Sequence, residues 1–109
     1  MNVRLYLWQR GTAALMAPLV LIHVAVMFYA TRQGLSAADI LGRTRGSVAW
    51  GLFYAAFVAA AAIHAGIGIR TILAEWTPLG ARGAALAASA FALLLAGLGA
   101  RAVIAVVMP

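Results

Sequence analysis

The sequence predicts an all-α integral membrane protein of three transmembrane helices, and three observations carry that prediction. Hydrophobic residues make up 66% of the 109-residue chain, charged residues only 9%, and the mean hydropathy is +1.03. A soluble domain of this size could not hide so much apolar surface. Three runs pass almost without formal charge: Gly11 to Ala30, Ser47 to Ile69, and Gly83 to Met108, the last interrupted only by Arg101. At about 1.5 Å per residue each is long enough to cross a hydrocarbon core of about 30 Å. Spans are therefore expected at about 11–30, 47–70 and 83–108, in a single transmembrane domain over 1–109 with no room for a separate soluble one.

Charge and cysteine usage narrow the function classes. All eight basic residues are Arg, set against Asp39 and Glu75, for a net charge of +6. The arginines stand almost entirely at the ends of apolar runs, so they read as anchors to membrane lipid and as donors to anionic groups, and not as a nucleic-acid surface. The absence of Cys excludes a disulfide framework, an iron–sulfur cluster held by this chain, and thioether haem attachment.

Along the chain, Met1 to Arg10 reads as a headgroup-level flank in which Arg4 and Arg10 surround Tyr6 and Trp8. The first span follows. A secretory signal peptide would have a shorter apolar region, and Phe28-Tyr29-Ala30 is a poor cleavage site, which favours a retained helix. Pro18 should kink or locally unwind it. Thr31 to Gly46 is polar, and Ser36-Ala-Ala-Asp39 fits a capping box opening a short interfacial helix before Gly42. In the second span, small residues four apart, Ala61/Ala65 and Ala62/Gly66, let another helix or a flat cofactor approach the backbone. Gly68 lies one turn beyond His64 and removes a side chain that would crowd a planar ligand. Thr77-Pro78 ends the helix that persists through Trp76.

One imidazole, His64, sits inside the second span, and a polar side chain at membrane depth needs a hydrogen bond, a water cavity or a metal. Two readings stand side by side: a neutral histidine bonded to a backbone carbonyl of a neighbouring helix, or an axial ligand to haem iron, with a second histidine from elsewhere completing the six-coordinate site. His23 is expected about 10 Å away in depth, too far to share one iron. It reads as a packed histidine, with a second haem nearer the opposite surface as its other role. Arg10 and Arg70 each abut an uncharged span, where a guanidinium could reach a buried carboxylate. Glu75 is the only acid on that side and could relay protons to a reduced quinone oxygen, or form a salt bridge to Arg70 or Arg10. Arginine counts on the two sides tie at four each and do not orient the chain.

Gln9-Arg10-Gly11-Thr12-Ala13, then His64-x-x-x-Gly68-Ile69-Arg70 and Glu75-Trp76, together resemble the membrane-anchor cytochrome b subunits of succinate dehydrogenase and fumarate reductase, respiratory complex II. The resemblance implies a bundle shared with a second membrane-anchor subunit, docked to an iron–sulfur subunit and a flavoprotein subunit that holds the dicarboxylate chemistry. It implies haem b ligated by His64, with Arg10, Arg70 and Gly68 around it. It also implies a ubiquinone or menaquinone site bordered by Arg10, Glu75 and Trp76, in a bacterial inner membrane with a cytoplasmic N-terminus. Tyr6 stands where the larger anchor has Ser, and Glu75-Trp76 where the smaller has Asp-Tyr. A small proton-coupled transporter subunit, which would need a carboxylate within a span, and a cofactor-free structural subunit are the alternatives.

Overall fold

A computed structural model describes residues 2–108. They form four helices: α1 (Val3–Gln33), α2 (Ala37–Thr44), α3 (Val48–Trp76) and α4 (Gly80–Val107). α1, α3 and α4 are long and apolar enough to cross a membrane, and α2 is the short helix expected between the first two spans. All three long helices run past arginines that bound the expected spans: α1 past Arg10 and Arg32, α3 past Arg70 and α4 past Arg82. α1 starts eight residues before Gly11 because the Asn2 side chain accepts from Leu5 N at 2.8 Å and caps it there. α3 continues through Arg70 to Trp76, where Thr77 and Pro78 stop it, and α4 begins at Gly80. A charge marks where the hydrocarbon ends; the helices run on into the headgroup layer. α1 also does not unwind at Pro18, whose exposed ring lies away from α3.

The protein measures 48 × 23 × 22 Å, and α3 is its centre. It packs extensively on α4 and less on α1, while α1 and α4 barely touch. The α3–α4 contact is built from small residues. The buried apolar side chains among the described residues are Ala60, Ala62, Ala84 and Ala88. A Cβ on Gly66 would lie 2.9 Å from the Ala92 Cβ, and one on Gly99 would collide with Val58. In lipid there is little hydrophobic gain from helix association, so close backbone approach and dispersion hold such a pair together. The Ala62/Gly66 stripe is therefore occupied by α4.

On α1 the shielded positions are Leu5, Gln9, Thr12, Met16, Leu19, His23, Val26 and Ala30. Their spacing alternates four and three, a period of about 3.5, which is the seam of left-handed antiparallel packing against α3. Three of these eight residues are polar, and they carry the features of interest below.

The loop side is tied down by polar bonds. α2 opens with the Ser36–Asp39 capping box. Gly34, at φ 135°, turns the chain out of α1, and Arg43 Nη2 donates to its carbonyl at 3.0 Å. Thr44 Oγ1 donates to Val106 O at 2.6 Å and Gly46 N to Val107 O at 2.6 Å, satisfying carbonyls that the end of α4 leaves open.

Candidate functional site

Thr12 is one of two buried polar residues among those described. Its Oγ1 lies 2.7 Å from Trp8 O, 3.1 Å from Gln9 O and 3.2 Å from His64 Nδ1. This side-chain contact, and not a peptide carbonyl, is what α1 offers His64. The other ring nitrogen, Nε2, has no hydrogen-bond partner among the described residues and is not sealed from the surface. One turn further along α3, the space above Gly68 holds the Gln9 amide, whose Nε2 would be 3.4 Å from a Cβ there. Gln9 Oε1 is buried without a donor among the described residues.

His23 lies on the same seam but in different company. Its ring meets Tyr54 and Phe57 edge-on, with centroids at 6.0 and 5.5 Å, and Trp50 and Phe53 extend the aromatic cluster. His23 Nδ1 is buried without a partner. Phe57 precedes His64 by seven residues, so the two imidazoles stand about 10 Å apart along α3.

Arg70 and Glu75 line one cavity of 310 Å³, together with Asn2, Leu5 and Thr71. Arg70 also heads a second, smaller groove that passes Gly66 and Ser89. Arg10 does not join them. It is exposed, its guanidinium 5.8 Å from the Tyr6 ring centre, and it lies about 160° round α1 from Thr12, facing away from α3. Trp76, the last residue of α3, is 82% exposed. The chain thus gathers His64 with Thr12, and Arg70 with Glu75, while Arg10 and Trp76 point outward.

Compared with known protein families, residues 2–99 match the succinate dehydrogenase/fumarate reductase transmembrane subunits. The chain belongs to this family. No curated protein and no solved structure matches it. As a transmembrane subunit of succinate dehydrogenase or fumarate reductase it is a multi-pass membrane protein that associates with the catalytic subunits of that complex. The family comprises cytochrome b-type anchors of complex II, a setting that in general implies haem and quinone. The residues present suit such a group: an imidazole with one nitrogen held and the other free, and a half-buried guanidinium at a cavity mouth on the same helix. No group of three or more His, Cys, Asp or Glu gathers among the described residues, and the two histidines, about 10 Å apart along the bundle, would not share one iron.

Reading the sequence did not single out Thr12 or Gln9 as partners of the second helix, although both stand in the motif around Arg10. The usable signal was the spacing of Gln9, Thr12 and His23 at a period of 3.5, which places all three polar groups on the face that α3 covers.

Proposed function

We propose that this subunit holds haem b through His64 and contributes to a quinone site at the end of the bundle that carries Arg70, Glu75 and Trp76. The observation that supports this most is the His64 ring, fixed at Nδ1 and unpartnered at Nε2 in a span where a bare polar nitrogen is costly. Haem, when bound, would supply a one-electron centre that tunes or buffers the electron path from the docked iron–sulfur subunit to quinone. Arg70 would neutralise a propionate or another carboxylate with charge-assisted hydrogen bonds. Arg10 faces outward, where the companion anchor or the iron–sulfur subunit would meet it, and from there it borders the quinone. Glu75 would hold and pass the proton that a reduced quinone oxygen requires. The Trp76 indole N–H is a donor suited to a quinone carbonyl. We assign this end to the cytoplasmic side of a bacterial inner membrane, where the catalytic subunits dock. The companion histidine comes from a second anchor subunit, since His23 stands at another level.

The test is a reduced-minus-oxidised spectrum of the purified complex. A b-type α band in the wild type, lost in His64→Ala while the subunits still co-purify, is the expected result. An unchanged band in that variant removes His64 as the ligand, and no band in the wild type leaves a cofactor-free membrane subunit.

A further inference from the structure

We propose that Thr12 is the positioning residue for His64: its hydroxyl accepts a hydrogen bond from Nδ1–H and thereby fixes the ring in the tautomer whose Nε2 carries the free lone pair. This rests on the reading of His64 as an axial ligand and deepens it by naming what holds the ligand.

The argument is a count of protons. A threonine hydroxyl has one proton and two lone pairs, while a carbonyl oxygen can only accept. Thr12 Oγ1 stands 2.7 Å from Trp8 O and 3.1 Å from Gln9 O, so its single proton belongs between it and a carbonyl. The shorter of the two contacts is the i−4 bond that helical threonines commonly make. If the hydroxyl instead donated to Nδ1, its oxygen lone pairs would face two carbonyl oxygens at these distances with no proton between them. The 3.2 Å contact must therefore be donated by the ring. A neutral imidazole carries one proton, and with that proton on Nδ1 the lone pair is on Nε2.

Two features keep the arrangement in place. Thr12 is buried, and its branched Cβ leaves few rotamers in a helix. Donation to Trp8 O also polarises the hydroxyl, which makes its oxygen a better acceptor for the ring. His23 is the contrast, because its Nδ1 is buried with no hydrogen-bond partner among the described residues. An Nδ1–H that donates raises the basicity of Nε2 and favours the more positive iron, so removing the acceptor raises the haem potential.

The experiment compares Thr12→Val with Thr12→Ser in the assembled complex. In Thr12→Val, haem retention should fall about 10- to 100-fold. The midpoint potential should rise by up to about 59 mV, which is a tenfold change in the ratio of ferric to ferrous affinity for a one-electron couple. Thr12→Ser keeps the hydroxyl and should stay near wild type. Wild-type behaviour of Thr12→Val overturns the assignment, and equal damage in both variants reduces Thr12 to packing. Nitrogen-15 spectra of histidine-labelled full chain without haem give a second readout that assembly cannot confound. His64 protonated at Nδ1 in the wild type, with that preference lost in Thr12→Val, is expected; Nε2–H in the wild type overturns it. A wild-type complex without haem would sink the ligand reading alone, because the labelled spectra still judge Thr12.

Discussion

His64 and His23 face each other's helices across one seam, yet the two levels are built on opposite principles. At the His64 level α1 presents a hydroxyl and an amide, α3 presents a glycine at 68, and one ring nitrogen remains free. At the His23 level α3 presents Tyr54 and Phe57 edge-on, and the ring is left with a bare Nδ1 and no polar partner to hold it. The difference teaches that a histidine in a span is not by itself a ligand. What distinguishes the first is a partner that uses one nitrogen and leaves the other available. The second spends a polar atom to gain contact between rings, which is worth about 0.5–1.5 kcal/mol per aromatic pair.

This contrast can be broken in several ways. The most damaging change should be Gly66→Leu, since even a Cβ there would approach Ala92 to 2.9 Å. Overpacking of this kind costs about 1–3 kcal/mol or more. It separates α3 from α4 on the face of α3 opposite His64, and it should read as a lower melting temperature and lower yield of the complex. Glu75→Gln should slow quinone reduction by about 100-fold if Glu75 is the proton donor, with electron transfer to an artificial dye intact. Arg10→Ala should show the same split between acceptors, and normal quinone turnover in both variants would remove them from the site. At the aromatic level, Phe57→Ala should destabilise the full chain by about 1–2 kcal/mol in thermal melts, with the haem spectrum unchanged. A lost α band there would join the two levels into one site.

The smallest effect lies outside the spans. The Ser36 hydroxyl, donating to Asp39 Oδ2 at 2.6 Å, and the Ser36 backbone N–H hold the Asp39 carboxyl below its ordinary value, with the Arg43 charge assisting. A depressed carboxylate stabilises the fold fully above its ordinary value, and that contribution is lost as pH falls through the lower, folded-state value. Amide exchange in α2 should therefore accelerate only in strong acid, and Asp39→Asn should abolish the pH dependence.

Much of this architecture was legible beforehand, and the reasons differ by feature. Three charge-free runs reveal three spans because lipid forbids unpaired charge, and the Ser36–Asp39 box reveals α2 because its geometry is local. The early start of α1 was not legible because Arg4 and Arg10 sit on helical backbone capped by Asn2, whereas the end of α3 at Trp76 was, from Thr77-Pro78. His64 stands out as a polar ring among alanines. Thr12 does not, because a helical threonine satisfies itself on the preceding turn and advertises no need for a distant partner. Small residues admitted both a helix and a flat cofactor; the structure gives Ala62 and Gly66 to α4 and fills the space over Gly68 with Gln9. The outward aim of Arg10 depends on which face of α1 is covered, and only the packed seam decides that.

Haem content per purified complex, measured in parallel for His64→Ala and His23→Phe, tests the central claim most directly. The account predicts no haem b in the first and wild-type haem b in the second, whose added ring packs against Tyr54 and Phe57. Haem retained in His64→Ala, or lost in His23→Phe with the complex intact, would contradict it.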